Sequence, residues 1–262
     1  MVAHYIAMAI ALAASTFAAP ATLRRRAGRT VYLAGDSTMA HGGGGSGTQG
    51  WGEYLQYSLS IPVVNRAIAG RSARSFTVEG HFAEIAALVQ PEDFVVIEFG
   101  HNDGGSLSPT DNGRTDCAGA GAEVCNTAVQ QGILTFPAYL TAATRNFTAR
   151  GARVVLASAT PNNPWESGTF VYGTSRFTTY ANQSAQGFAH AKFVDHGQLV
   201  ADEFQKLGAS AVDGFYPNDH THPSPEGSDI VAQAFVRGVV CSESFLKRHV
   251  KNETSGIIGA CL

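Results

Sequence analysis

The chain has 262 residues, with 18 basic and 21 acidic side chains and a formal net charge of −3 at pH 7. Hydrophobic residues make up 44% of the chain and charged residues 15%, which excludes a disordered protein and is sufficient for one buried core. The lysines and arginines are scattered, and this excludes a nucleic-acid-binding protein because phosphate recognition needs a clustered basic face.

The first twenty residues differ from the rest of the chain. An apolar run from Tyr5 to Ala14 is followed by small residues up to Pro20, a pattern typical of a cleaved secretion signal. The run is shorter than the roughly 18 apolar residues that a membrane span needs, so export is favoured over a membrane anchor. We predict a signal peptide at residues 1–19, a short basic leader at 20–29 and a single domain at 30–262 of a secreted, extracellular protein. Arg24–Arg26 in the leader is either a processing site or a solvated charge run.

Short apolar or β-branched runs then alternate with longer helical patterns, which is typical of parallel βαβ units. Strands are predicted at Thr30–Leu33, Val63–Asn65, Phe94–Phe99, Arg153–Ser158 and Lys192–Asp195. Apolar residues at spacings of three and four predict helices at Trp51–Leu59, Phe82–Val89, Phe136–Arg150, Ser175–Ala189, Leu199–Leu207 and Pro225–Val240. The expected fold class is α/β, a flavodoxin-like three-layer α/β/α sandwich around a five-stranded parallel sheet. Ligands bind such sheets beyond the carboxyl ends of the strands, so the residues after each strand are the candidates for chemistry.

Three strand ends carry residues that can stabilise a negatively charged oxygen. Ser37 follows the first strand within Gly35-Asp36-Ser37 and would present its hydroxyl and its own N–H at the sheet edge, although Ser is also a common helix N-cap. Gly70 follows the second strand and is either a turn residue or an unobstructed N–H donor. Asn102 follows the third strand, and its amide is either part of a turn or a further donor.

The fourth junction combines a histidine with a nearby carboxylate. Asp219 precedes His222 by three residues, and Ser224 and Pro225 favour the start of a helix directly afterwards. A neutral imidazole placed there can accept the proton of a serine hydroxyl, and the carboxylate can fix its tautomer. There are three alternatives. Asp219, His220 and His222 could together bind a metal ion. His220 could be the base in place of His222, and Asp36 could be the carboxylate partner in place of Asp219.

Cysteine content agrees with an extracellular location. The four cysteines allow three pairings, which the sequence alone does not distinguish. Cys117 and Cys125 lie close together in a glycine-rich loop, and Cys241 and Cys261 flank the C-terminal tail, so pairing in sequence order would restrain two segments. The spacing of Cys and His residues does not indicate zinc. Possible glycosylation triplets begin at Asn146, Asn182 and Asn252.

Together these segments resemble the SGNH, or GDSL, hydrolases. The four family blocks are matched in order by Gly35–Ser37, Gly70, Gly100–Asp103 and Asp219–His222. Further stretches are similar to the rhamnogalacturonan acetylesterases of this superfamily, namely Val31–Ala40, Ala69–Ser75, Glu98–Ser106 and Thr160–Trp165. The likeness runs from about Thr30 to the C-terminus and includes all four cysteines.

The resemblance implies a role for each matching position. Ser37 would be the nucleophile, His222 the base and Asp219 its orienting acid. The Ser37 N–H, the Gly70 N–H and the Asn102 amide would form the oxyanion hole. The resemblance also implies the disulfides Cys117–Cys125 and Cys241–Cys261.

The expected function is a secreted serine carboxylic-ester hydrolase that removes acetyl groups from the rhamnogalacturonan backbone of pectin. We expect an acetylated pectic polysaccharide as substrate, no cofactor or metal, no nucleic-acid or membrane partner, and a monomer. An acetylesterase acting on xylan or on short-chain esters in general is one alternative. A carbohydrate-binding protein without turnover is the other.

Rhamnogalacturonan carries galacturonate carboxylates, so the sequence also suggests cationic substrate contacts. Arg71 and Arg74 are the candidates because a guanidinium can bind a carboxylate bidentately, although Arg is more often a solvated surface residue. Trp51 and the Pro161–Trp165 loop are candidates for stacking against sugar rings, with packing in the core as the alternative.

Overall fold

The computed structural model describes residues 28–251, 259 and 261. Its centre is a parallel five-stranded sheet in the order β2-β1-β3-β6-β7. These strands are β1 (Val31–Gly35), β2 (Val63–Asn65), β3 (Phe94–Glu98), β6 (Arg153–Ala157) and β7 (Ala191–Val194). The predicted five-stranded parallel sheet is confirmed, and the strand ends lie within two residues of the predicted ones.

Helices cover both faces of the sheet. They are α1 (Leu55–Ser58), α2 (Ala73–Val78), α3 (His81–Leu88), α4 (Phe136–Ala149), α5 (Arg176–Ala185), α6 (His196–Leu207), α7 (Ala209–Gly214) and α8 (Pro225–Cys241). Short 3₁₀ helices lie at Trp51–Glu53 and Phe245–His249, and β4 (Val124–Cys125) pairs antiparallel with β5 (Ile133–Leu134).

Alternating side chains along the strands divide the core into two apolar clusters. Val31 and Leu33 of β1 pack with residues of α1, α6 and α8 on one face. Tyr32 and Ala34, one position along, pack with residues of α2, α3, α4 and α5 on the other. Because both faces are covered, the strands are apolar at nearly every position, as expected for a parallel sheet. The three-layer α/β/α prediction is therefore confirmed.

Side-chain caps set where two of the long helices begin. The Thr135 hydroxyl accepts a hydrogen bond from the Ala138 N–H at the start of α4, and the Asp195 carboxylate caps α6 at the Gln198 N–H. Because Asp195 is this cap, α6 begins at residue 196, three residues before the predicted start. The predicted helix at 175–189 ends earlier, at Ala185, since the chain becomes extended and Gly187 then adopts a left-handed φ of 81°.

Both disulfides of the predicted pairing are present. The Cα atoms of Cys117 and Cys125 are 5.3 Å apart, and those of Cys241 and Cys261 are 5.4 Å apart. The first bridge restrains the long connection between β3 and α4. The second joins Cys241 at the end of α8 to Cys261 near the C-terminus.

The residues on which the predicted export and glycosylation depend lie either outside the described part of the chain or at its surface. The predicted signal peptide and nearly all of the basic leader lie outside the described residues, as does Asn252. Asn146 lies in α4, partly exposed, and Asn182 lies exposed in α5. Over the ranges that the structure describes, none of the helices combines the length and apolar character needed to cross a bilayer.

Candidate active site

Ser37 lies directly after β1, in a tight turn at the carboxyl edge of the sheet. The Asp36 carboxylate accepts hydrogen bonds from the Thr38 N–H (2.9 Å) and the Thr38 hydroxyl (2.8 Å), which fixes the turn. A Cβ on Gly35 would lie 2.9 Å from the Glu98 carbonyl oxygen of the neighbouring strand, so the backbone here leaves no room for a side chain. Asp36 is therefore used in shaping the turn that presents Ser37.

His222 links Ser37 to Asp219 by two short hydrogen bonds. The Ser37 Oγ is 2.8 Å from His222 Nε2, and His222 Nδ1 is 2.8 Å from Asp219 Oδ2. An ionised carboxylate can only accept, so the ring hydrogen sits on Nδ1 and Nε2 can accept the Ser37 hydroxyl proton. The structure thus brings together the three residues that the sequence placed at separate strand ends, and it leaves Asp36 with no part in orienting the histidine.

Asp219 is held in its ionised form. Partial burial opposes ionisation, but hydrogen bonds from the His222 ring and from the Thr221 and His222 N–H groups outweigh it and lower the pKa of Asp219 from 3.8 to about 2. Since the folded state has the lower pKa, this carboxylate stabilises the folded protein above pH 3.8. That contribution is lost as the pH falls toward 2. Asp219 is therefore an anion except in strong acid.

Contacts with the loop after β6 hold the Asp219–His222 loop in place. The Asn163 N–H donates to the His220 carbonyl (2.7 Å), and the Thr221 hydroxyl donates to Asn162 Oδ1 (3.0 Å). The His220 ring faces Glu166 at 3.0 Å, so it is not positioned as the base. The arrangement does not favour the alternative metal site either, and the described residues contain no group of three side chains suited to bind a metal.

One face of the His222 imidazole packs against the backbone of a glycine-rich loop. A Cβ on Gly44 would lie 2.4 Å from His222 Cγ, so a side chain at this position would displace the ring. The Gly44 N–H donates to the Thr48 hydroxyl oxygen at 2.9 Å, which fixes the loop. The run of four glycines is visible in the sequence, but its contact with His222 was not predicted because the two lie far apart along the chain.

The Gly70 segment runs beside the Ser37 turn. The Ile68 N–H donates to the Gly35 carbonyl at 2.9 Å and so continues the pairing of β2 with β1 past the end of the strand. Gly70 has a φ of 74°, a conformation that favours glycine. Among the described residues, no acceptor takes a hydrogen bond from the Ser37 or the Gly70 N–H. Both N–H groups are thus available to a ligand oxygen.

Asn102 is held next to this segment by its side chain. Its Nδ2 donates to the Arg71 carbonyl, the one that follows Gly70, at 3.1 Å, and the amide retains a second N–H. The neighbouring Asp103 carboxylate accepts from the Ala73 N–H at 2.7 Å, at the first turn of α2. These two bonds join the loop after β3 to the Gly70 segment.

A family model described as the GDSL-like lipase/acylhydrolase family matches residues 33–230 of this chain. The chain belongs to this family. The matched range contains the Ser37 turn, Gly70, Asn102 and the Asp219–His222 loop. The family membership predicted from those four segments is therefore confirmed.

Other relatives share the sequence or the fold. A rhamnogalacturonan acetylesterase of Emericella nidulans is 56% identical over 217 residues, which cover 82% of this chain and 86% of the relative. A crystal structure of a Bacillus subtilis protein has a TM-score of 0.65 at 22% identity and covers 82% of this chain, which in turn spans 56% of that protein. A catalytic mutant of an acetylxylan esterase from Geobacillus stearothermophilus has a TM-score of 0.53 at 19% identity, covering 81% and 94% of the two chains. The two structures share the fold of this chain.

In this family member, a buried pair of carboxyl groups includes Asp103, which directly follows Asn102. Asp103 and Asp116 are both buried, and as two carboxylates they would leave oxygen atoms without a hydrogen-bond donor. A proton held between them supplies the missing donor. Burial, followed by the charge of the neighbouring group, raises the pKa of Asp116, and burial also raises that of Asp103. The pair therefore keeps a proton at neutral pH.

We expect Asp116→Asn to reduce the pH dependence of stability. The folded wild type keeps a proton that the unfolded chain releases above its ordinary pKa of 3.8, so its stability falls as the pH rises. For one proton the slope is at most about 1.4 kcal/mol per pH unit. Urea unfolding at pH 5 and pH 8 should show that the unfolding free energy of the variant, relative to that of the wild type, is higher at pH 8 than at pH 5. A difference in unfolding free energy that is the same at both pH values would contradict a shared proton.

The two arginines expected to contact substrate are both engaged within the protein. The prediction that Arg74 contacts substrate is wrong, because its side chain is 0% exposed and its guanidinium pairs with Asp111 at 2.6 Å. Burying a guanidinium requires such a partner. Arg71 Nε donates to Glu79 at 2.9 Å, and its side chain is 38% exposed. Its charge is thus already neutralised by a carboxylate.

The suggestion that Trp51 stacks against a sugar ring is also wrong, because this residue is 0% exposed and lies in the core. Its indole N–H donates to Glu98 at 2.8 Å, and the other Glu98 oxygen is 2.6 Å from His196 Nδ1. A cleft of about 430 Å³ lies beside the site instead. It is lined mainly by the loops after β3 and β6 and by the start of α5, including His101, Pro161, Asn162, Asn163, Tyr172 and Phe177.

If Asn102 is the oxyanion donor that the family resemblance implies, Asn102→Ala should lower kcat for an aryl acetate by about 10² to 10³-fold, because one donor to the developing oxyanion would be lost. KM should change little, since a ground-state carbonyl depends less on this donor than the tetrahedral intermediate does. Steady-state kinetics with a small aryl acetate would measure both constants. A kcat within about threefold of the wild type would show that Asn102 is not an oxyanion donor.

Proposed function

We propose that this protein is a carbohydrate esterase that removes acetyl groups from the rhamnogalacturonan backbone of pectin by a Ser-His-Asp mechanism. The observation that carries the chemistry is the unbroken hydrogen-bond chain from Ser37 through His222 to Asp219, with both contacts at 2.8 Å. The 56% identity to a rhamnogalacturonan acetylesterase supports the substrate.

The first half of the reaction forms an acetyl-enzyme. The Ser37 Oγ attacks the acetyl carbonyl carbon while its proton passes to His222 Nε2. The carbonyl oxygen becomes an oxyanion that the Ser37 N–H, the Gly70 N–H and the Asn102 amide stabilise. When the tetrahedral intermediate collapses, the bond to the sugar oxygen breaks and that oxygen takes the proton from His222.

The second half returns the enzyme to its starting state. Water gives a proton to His222 Nε2 and attacks the acetyl carbon, and the intermediate collapses to acetic acid as Ser37 Oγ regains its proton from the ring. Asp219 stabilises the imidazolium that forms in each half-reaction and keeps the ring hydrogen on Nδ1. The side chains for the whole cycle are thus supplied by the chain itself.

The substrate is tested by comparing acetate release from acetylated rhamnogalacturonan, acetylated homogalacturonan and acetylated xylan. We expect the highest kcat/KM on rhamnogalacturonan, with an aryl acetate as a positive control for the chemistry. Faster release from xylan would overturn the proposed substrate while leaving the esterase mechanism intact. If the folded protein cleaved none of these esters, the proposal would fail in favour of a binding protein without turnover.

We also propose that the protein is exported and glycosylated. The apolar run near the N-terminus, the two disulfides and the acceptor triplets at Asn146, Asn182 and Asn252 support this, because disulfides form in oxidising compartments. Mass spectrometry of the protein from the culture medium of a eukaryotic secretion host would identify its mature N-terminus and any glycan. Retention of residues 1–19 in the product would contradict the signal peptide.

A further inference from the structure

Arg114 lies beside two of the proposed oxyanion donors. Its Nη1 donates to Asn102 Oδ1 at 3.3 Å, and a Cβ placed on Gly70 would be 4.0 Å from the same nitrogen. The side chain is exposed, and within residues 28–251 no carboxylate forms an ion pair with it. A guanidinium with unused donors is therefore exposed at the place where the acetylated ring of a substrate would lie.

We propose that Arg114 binds the carboxylate of a uronic acid residue in the substrate, on the acetylated ring or on the ring next to it. This inference rests on the proposed function, because that function places an acidic polysaccharide at Ser37. The planar guanidinium can donate two parallel hydrogen bonds to a carboxylate while its charge neutralises the anion. Arg114 is thereby the residue that favours acidic over neutral acetylated chains.

The loop that carries Arg114 is held in position by the buried Arg74. Arg74 Nη2 pairs with Asp111 at 2.6 Å, and its Nη1 donates to the Thr115 carbonyl at 2.7 Å. Between these two anchors, Asn112 Oδ1 accepts from the Arg114 N–H at 2.8 Å. The backbone of Arg114 is thus restrained on both sides, which lowers the entropy lost when its side chain binds a ligand. Arg74, expected at first to contact substrate, instead holds the loop segment on either side of Arg114.

Arg176 is the second exposed arginine near the site and provides a comparison. Its guanidinium lies 4.8 Å from the centre of the Phe177 ring, at the wall of the cleft, and 4.0 Å from a Cβ placed on Gly104. Among the described residues, Arg176 makes no hydrogen bond to Asn102 or Gly70, so its guanidinium lies beside Phe177 and Gly104 rather than beside the oxyanion donors. A carboxylate bound by Arg114 would therefore lie beside the oxyanion donors, whereas one bound by Arg176 would lie beside Phe177.

The experiment compares two forms of one substrate. Acetylated rhamnogalacturonan oligosaccharides are used as such and after reduction of their carboxylates to primary alcohols, and the ratio of the two kcat/KM values measures selectivity for the acid. We expect Arg114→Gln to lower this ratio about tenfold, mainly through KM, because an exposed charge-assisted contact is partly screened by water and salt. Arg114→Lys should restore part of the ratio, since it returns the charge without the bidentate geometry. The matched control, Arg145→Gln, changes an exposed arginine on α4 and should leave the ratio as in the wild type.

Three results would overturn the proposal. An unchanged ratio in Arg114→Gln would show that the carboxylate does not bind there. An equal loss on both substrates would show that Arg114 acts through Asn102 on the chemistry alone. A fall in the ratio with Arg176→Gln, and none with Arg114→Gln, would place the carboxylate over the cleft. Failure of the proposed function is recognised separately, as a wild type that cleaves an aryl acetate but releases no acetate from the acidic oligosaccharide.

Discussion

Replacing Ser37 by Ala should lower kcat for an aryl acetate by about 10⁶-fold, which is the loss seen when a serine nucleophile is removed from such a catalytic triad. The Ser37 Oγ is the only triad atom that forms a bond to the acetyl carbon in the proposed mechanism, and a methyl group at this position cannot replace it. The remaining rate would come from a water molecule activated by His222 and from the oxyanion donors.

The matched control for this variant is Ser60→Ala. Ser60 is exposed before β2, at the opposite edge of the sheet, where its hydroxyl donates to the His249 carbonyl at 3.1 Å. We expect its kinetics to equal those of the wild type. A Ser37→Ala protein that folds normally and retains more than about a hundredth of wild-type kcat would rule out Ser37 as the nucleophile.

Replacing Asp219 by Asn should lower kcat by about 10⁴-fold while the fold stays intact. The amide of the variant can donate to His222 Nδ1, which would move the ring hydrogen to Nε2 and leave no acceptor for the Ser37 proton. The imidazolium formed during attack would also lose its counter-charge. Steady-state kinetics at several pH values and a thermal unfolding measurement would separate the loss of activity from a loss of stability.

Glu84→Gln provides the matched change from carboxylate to amide. Glu84 is exposed on α3 and contacts His81 at 3.3 Å, away from the triad. The kcat of the Glu84→Gln variant should therefore equal that of the wild type. If Asp219→Asn kept wild-type kcat across the pH range, Asp219 would have no part in orienting or charging His222. In that case the 2.8 Å contact between these two side chains would serve only the loop structure.

The sheet could be predicted from the sequence because its central strands β1, β3 and β6 are buried on both faces. Each strand appears as a short apolar run, such as Val31–Gly35, and the helices between them show the apolar spacing of a single packed face. The elements that were missed are too short for a pattern. β4 and β5 have two residues each, and α2 begins at a Ser72 capping box but includes the charged Arg74 on its buried side.

The triad could be predicted because each of its residues belongs to a distinctive local segment at a strand end. The roles of the arginines could not, because burial depends on partners far away in the chain. Arg74 is buried by Asp111, a contact that a sequence pattern does not reveal, and Arg114 reaches Asn102 only through the folded loop. The proton shared by Asp103 and Asp116 likewise depends on burial, which the sequence does not show.

Labelling with an organophosphate tests the central claim most directly, because such reagents phosphorylate a serine that is activated as a nucleophile much faster than an ordinary hydroxyl. The protein would be treated with diethyl 4-nitrophenyl phosphate, its residual esterase activity followed, and its peptides analysed by mass spectrometry. We expect one phosphoryl group on the peptide that contains Ser37, with activity lost in proportion to labelling, and none on that peptide in Ser37→Ala. Complete inactivation with the label on another residue, or full activity after Ser37 is labelled, would contradict the proposed mechanism.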